Sequence, residues 1–175
     1  EKYMNRTDSP YDPLVDCFLL HYQFETIHPF NDGNGRVGRV LLALTLQQRC
    51  RLSKPWLYMS EYFERNRTEY FQRLFDVSAQ GDWTGWIRFC VHGAIIQAKE
   101  TIERCRKLLS LRENHRNRLS SSGEGSVRLA SIVDGIFESP FVRVADLVRR
   151  MEVTYPTAKK DVERLEQFGI LKELS

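Results

Sequence analysis

The chain has 175 residues, enough for one ordinary domain or one domain with a small module attached. With 42% hydrophobic and 28% charged residues and no apolar run of about 18, it has the composition of a packed, soluble, cytoplasmic protein without a membrane-spanning helix. The formal net charge of +3 does not point to nucleic acid, and the four cysteines, with no Cys-x-x-Cys pair, suit buried reduced thiols in helices.

Asp12-Pro13 reads as a helix start, with Asp as N-cap and Pro in the first turn. The helix carries Leu14, Cys17, Phe18 and Phe24 to about Ile27, and the turn formers of HPFNDGNG interrupt it. A second helix begins near Gly35 with Val37, Val40, Leu41, Leu44 and Leu46 as its apolar positions. Beyond Pro55, Ser60 caps one helix from about Glu61 to Val77, and Gly81-Asp82 breaks it. From Trp83 a long amphipathic helix places Ile87, Val91, Ile95, Ala98, Ile102, Cys105 and Leu109 on one face. The basic excess over residues 99–118 fits a solvated helix end, and SSSGEGS at 120–126 reads as a flexible linker.

After the linker the pattern changes. A helix over 127–138, an extended stretch at 141–144, a helix over Ala145–Met151, a helix over 156–167 stopped by Gly169, and a terminal strand at Ile170-Leu171 follow the order of a winged helix. The predicted fold is therefore mainly α: a helical bundle over 1–119, a linker over 120–126, and a winged helix-turn-helix module over 127–175.

HPFNDGNGRVGR, residues 28–39, carries the chemistry. Gly33, Asn34 and Gly35 lie where a helix begins, so tight backbone turns and free N–H groups make an anion site that phosphate commonly fills. Arg36 and Arg39 leave the first turn with planar forks suited to phosphate oxygens. Asp32 is a carboxylate that could hold Mg²⁺ between phosphates, and His28 can accept a proton near neutral pH. Phe30 reads as a core anchor for the loop. Singly, each feature is ordinary for a turn, a helix face or a structural histidine. Together and in this order they describe attack by a hydroxyl on a nucleotide phosphate.

The segment resembles the signature of the Fic family, His-x-Phe-x-(Asp/Glu)-Gly-Asn-Gly-Arg-x-x-Arg, at every specified position: His28, Phe30, Asp32, Gly33, Asn34, Gly35, Arg36 and Arg39. The likeness continues in HYQFETIHPF, LYMSEYFERNRTEYFQRL and GDWTGWIRF, over roughly residues 14–105. It implies a Fic-type helical bundle that binds ATP with Mg²⁺ and moves AMP to a Tyr, Thr or Ser hydroxyl of a target protein, or of the protein itself, releasing pyrophosphate. His28 would be the base, Asp32 the magnesium ligand, and residues 33–39, Val37 and Gly38 included, the nucleotide-binding segment. Tyr70 and Phe71 would lie by the nucleotide base, with core packing as the alternative; Ser78 and Gln23 are weaker candidates. The family's β-hairpin flap and inhibitory helix have no counterpart before residue 14 and are expected upstream of residue 1. Glu124, in the linker, fits the inhibitory pattern only formally.

Two other readings stand beside this one. The terminal module could act on DNA through Lys159, Lys160 and Arg164, but its eight basic and eight acidic residues favour protein contact or homodimer formation. A different nucleotide, or removal of AMP, would be another reaction on the same fold.

Overall fold

Asp12 accepts a hydrogen bond from the Leu14 amide at 2.8 Å and starts α1, Pro13–Ile27, with Pro13 in the first turn where its missing N–H costs nothing. The computed structural model describes residues 9–121 and 126–174. Seven further helices follow among the described residues: α2, Asn34–Arg49; α3, Met59–Arg65; α4, Arg67–Gln80; α5, Trp83–Ser121; α6, Val127–Ile136; α7, Val144–Met151; and α8, Tyr155–Gln167. The fold is mainly α, as expected, and no described residue lies in a strand. No described helix is long and apolar enough to cross a membrane. The chain divides into two compact units, Glu1–Glu103 and Arg104–Ser175, so the division falls inside α5 rather than at residues 120–126, where the linker was expected. Residues 122–125 of that linker, Glu124 among them, lie outside the described residues.

The core of the first unit gathers Cys17, Phe18 and Tyr22 of α1, Leu42 and Leu46 of α2, Tyr62 and Phe63 of α3, and Trp86, Phe89 and Cys90 of α5. Burying such aromatic side chains is worth about 1.5–3 kcal/mol each, which fixes the order of packing. Asp16, 1% exposed, is paired with Arg49 and accepts from the Ser9 hydroxyl at 3.0 Å, tying α1 to the far end of α2. The thiols are free; Cys17 and Cys90 are buried, while Cys50, the C-cap of α2 rather than part of a helix, and Cys105 are partly exposed.

Three details differ from the sequence reading. The single helix expected over 61–77 is two, because Asn66 leaves helical geometry (φ −115°, ψ 36°) and its side-chain amide donates to the Tyr62 carbonyl at 2.9 Å. That bond offers the backbone an alternative to continuing the helix. Ser60 then lies inside α3 instead of capping it. α5 presents a face shifted by about one residue from the expected one: Trp86, Phe89, Cys90, Ala94 and Gln97 are buried, while Ile95, Ile102 and Leu109 are exposed. Trp86, whose indole donates to the Phe18 carbonyl at 3.1 Å, and Gly93, which lets the Tyr62 ring lie against the backbone, set that rotation. In α2, likewise, Leu42 and Leu46 are buried, whereas Val37, Val40 and Leu44 are exposed.

The second unit packs Leu119 of α5, Leu129, Ile132 and Val133 of α6, Leu147 of α7, and Ala158 and Leu165 of α8. Asp134 accepts from Arg112 at 2.8 Å and from Arg116 at 3.0 Å, and these bonds hold its carboxyl down to about 2. The buried Asp161 is paired with Arg128. The expected strands at 141–144 and 170–171 do not form. Val144 begins α7, and the Ile170 and Leu171 amides donate back to the Leu165 carbonyl at 2.9 and 3.2 Å beyond Gly169 (φ +64°). Those donors are spent on the helix end, so no ladder is left for a wing.

Candidate functional site

α1 and α2 are antecedent and successor of the HPFNDGNG loop, and each supplies one half of the site from its end. α1 stops at His28, which takes a left-handed conformation (φ 50°, ψ 57°) and closes the last turn with its amide on the Phe24 carbonyl. The His28 ring Nδ1 lies 3.2 Å from the Glu25 carbonyl. A carbonyl can only accept, so Nδ1 donates here, and in the neutral ring Nε2 is the nitrogen that can take a proton.

The loop is held by Asn34. Its side chain, 2% exposed with the rest of the residue, accepts from the Phe30 amide at 2.9 Å and donates to the Phe30 carbonyl at 2.5 Å. Both polar groups of one loop residue are thereby satisfied from the first position of α2. Phe30 itself is half exposed and tilts against Phe24, ring centroids 6.3 Å apart, so the expected core anchor is Asn34 instead.

Gly33 precedes α2 at φ +83°, a conformation open to glycine, and no side chain caps the helix. The first amides of α2, at Asn34, Gly35 and Arg36, thus have no carbonyl partner within the helix. The guanidiniums of Arg36 and Arg39 fold back over this start: Arg36 lies against Gly33, and Arg39 Nη1 comes 3.1 Å from where a side chain on Gly35 would begin. Arg36 also donates to Asp32 at 3.1 Å, an exposed pair worth little by itself. Val37 is exposed on the next turn and donates its amide to the Gly33 carbonyl at 2.9 Å.

The other sequence candidates separate. Gly38 is buried and faces α1, where a side chain would begin 2.2 Å from Glu25 Oε1 and 3.0 Å from Phe24. Its geometry is that of close helix packing, not of a loop group open to phosphate. Tyr70 is 4% exposed and shares a 3.1 Å hydrogen bond with His21, which places it in the core rather than on an open surface. Phe71 is 54% exposed, with the Arg67 guanidinium 5.6 Å from its ring centre. Ser78 shares a 2.8 Å bond with Tyr22, and Gln23 is exposed. In the second unit, Lys159 lies 3.9 Å from Glu163.

Two further groups lie beneath the loop, and the sequence did not connect them with the site. His21 is buried, stacks on Phe63 at 5.4 Å, and is pushed down to about 4 by burial, against the Gly38 backbone and helped by Arg39. Glu25 is raised by burial against the pull of Arg39 and His28. The signal was present: His21, Glu25 and His28 are spaced four and three residues apart, which is one face of a helix.

Among the described residues no three metal-binding side chains cluster. The exposed Asp32 fits a cation such as Mg²⁺, which takes one or two carboxylates with the rest of its shell from phosphate oxygens and water.

Comparison with known proteins points the same way. Residues 1–46 match the Fic/DOC family model. The chain is 38% identical over 69 residues to a probable protein adenylyltransferase of Aquifex aeolicus (strain VF5), covering 39% of this chain and 19% of that protein. It is 33% identical over 78 residues to protein adenylyltransferase fic-1 of Caenorhabditis elegans, covering 45% of this chain and 14% of that one. It is 30% identical over 79 residues to protein adenylyltransferase Fic of Aedes aegypti, with the same two coverages of 45% and 14%. The chain therefore spans between a seventh and a fifth of the length of these relatives.

Proposed function

We propose, on the premise that residues 1–46 belong to the Fic/DOC family, that the protein is a nucleotidyltransferase that moves AMP from ATP to a hydroxyl of a target protein. The observation that carries this reading is the meeting of two helix ends: an imidazole whose Nε2 is free to accept a proton, and an uncapped helix start flanked by two guanidiniums. The first suits a hydroxyl nucleophile and the second a polyphosphate.

His28 Nε2 takes the proton of the attacking Tyr, Thr or Ser hydroxyl. The hydroxyl oxygen bonds to the α-phosphorus, the bond from that phosphorus to the bridging oxygen breaks, and pyrophosphate leaves with the bonding pair. Amides at the start of α2 and the guanidiniums of Arg36 and Arg39 hold the phosphates and offset the charge on the leaving group. Asp32 would hold Mg²⁺ with the phosphate oxygens, a cation that supplies further charge neutralisation when bound. For Asp32 to do so, Arg36 must turn from the carboxylate to the phosphates, and its exposed pairing makes that inexpensive.

The test is to incubate the full-length protein with Mg²⁺ and ATP labelled at the α-phosphate, beside a His28→Asn variant. Label on protein that the variant abolishes supports the reading. Label transferred from the γ-phosphate instead, or no transfer with any nucleotide, refutes it.

A further inference from the structure

The second unit holds a cavity that the transfer reading does not use. It lies between α6 and α7, has a volume of about 210 Å³, and is floored by the buried Ile132 and Leu147. Residues 141–143, which form no strand, line one side, and Phe141 is 73% exposed there. An apolar hole of about 150 Å³ already accepts a benzene-sized body, whereas cofactor-sized ligands need about 300 Å³ or more. The space therefore suits one ring or a short branched hydrocarbon.

Two guanidiniums belong to its lining, those of Arg143, the N-cap of α7, and Arg150 near the end of that helix. Neither makes a hydrogen bond or ion pair with a described residue. In the same unit Arg112 and Arg116 are paired with Asp134, Arg128 with Asp161, and Arg149 with Asp146. Asp146 also lines the cavity, but its Oδ1 already accepts from Arg149 at 2.5 Å, which leaves the cavity with an excess of positive charge. Arg150 is not loose: its Nη1 and Nη2 lie 2.6 and 2.7 Å from where a side chain on Gly135 would begin, so the fork rests over the glycine of α6. Two forks without carboxylates, beside an apolar floor, are complementary to a carboxylate on an apolar body. We propose that this cavity binds a small organic acid, its carboxylate on Arg143 and Arg150 and its ring-sized body on Ile132 and Leu147. The site is independent of the nucleotidyl-transfer reading.

The probe is hydrocinnamate, titrated at neutral pH into the full chain and followed by the methyl NMR signals of Ile132 and Leu147. Saturable shifts with a Kd below about 1 mM are expected. The matching neutral ligand, hydrocinnamyl alcohol, should bind at least about tenfold more weakly, because charge-assisted bonds are lost. Arg143→Met and Arg150→Met, both at exposed positions, should each weaken the acid about tenfold and leave the alcohol unchanged. Gly135→Ala displaces the Arg150 fork without removing a charge, and should weaken the acid in the same way. No saturable shift, equal binding of acid and alcohol, or binding untouched by both arginine changes overturns the proposal. Inorganic phosphate binding as tightly as the acid also overturns it, since the apolar floor would then be idle. Acetyl-Glu-Phe-amide carries the same chemistry on a peptide. Tighter binding of that peptide than of the free acid overturns the assignment to a small acid. If a variant does not fold, the comparison of acid with alcohol on the unaltered protein decides.

Discussion

Gly38→Ala is the sharpest probe of how the two halves of the site are held together. The added methyl would begin 2.2 Å from Glu25 Oε1, 3.1 Å from Glu25 Cδ and 3.0 Å from Phe24 Cδ1. Two effects oppose each other. Alanine favours a helix interior over glycine by about 1 kcal/mol. Overpacking a close helix contact costs about 1–3 kcal/mol. The carboxylate is the end of a flexible chain and can swing aside, whereas the Phe24 ring must yield by a few tenths of an ångström. The expected net loss is thus about 1 kcal/mol, rising to about 3 kcal/mol for Gly38→Val, whose branch cannot be relieved by moving Glu25 alone. All three tryptophans, Trp56, Trp83 and Trp86, lie in the first unit, so urea unfolding followed by their fluorescence reads that unit without the second. Combining Gly38→Ala with Glu25→Ala removes the contact with Glu25 and leaves that with Phe24, and the pair should be more stable than the sum of the single effects by at least about 0.5 kcal/mol. If Gly38→Ala matches or exceeds the unaltered protein and the double variant is additive, the close approach of α1 and α2 does not depend on this glycine.

Two further outcomes follow from the groups beneath and within the loop. His21 falls from an unfolded value of 6.5 to about 4, so the folded protein binds its proton less readily; stability is full above pH 6.5 and drops as pH falls to 4, by about 3 kcal/mol at about 1.4 kcal/mol per pH unit, with Glu25 acting in the opposite direction. Fluorescence-detected urea midpoints at pH 7 and pH 4 check this, and a His21→Phe protein with the same acid sensitivity would refute it. Asn34→Ala strips both partners from the Phe30 backbone and should cost about 1–2 kcal/mol, with faster cleavage after Phe30 by a protease selective for aromatic residues. Unchanged cleavage would mean that Asn34 does not hold the loop.

What could be seen in the sequence was what short-range rules decide. Asp12-Pro13, Gly33, Gly81 and Gly169 mark helix ends because each meets a local backbone demand, and all four do so here. The signature residues were legible because helix-start geometry and side-chain chemistry fall within twelve consecutive positions. What depended on partners far along the chain was not legible. Tyr70 meets His21 across 49 positions, so an aromatic residue suited to a base pocket turns out to sit in the core. The rotation of α5 is decided by Trp86 and Gly93 against α1 and α3, while its own apolar residues allow more than one buried face. Asn66 breaks a segment of good helix formers through one side-chain bond. Gly38 carries no periodicity signal, and only the nearness of Glu25 and Phe24 reveals its use.

His28 combines two duties in one residue: it ends α1 in a left-handed turn and offers the imidazole. That union complicates the usual knock-out. An alanine at this position would remove the ring and also place a residue that dislikes left-handed geometry at the helix stop, at about 1–2 kcal/mol. A dead alanine variant would therefore confound lost chemistry with a displaced loop. Asparagine, which tolerates the turn but is no base, isolates the first; glycine, which relaxes the turn without a ring, calibrates the second. The left-handed turn thus decides which substitutions count as controls.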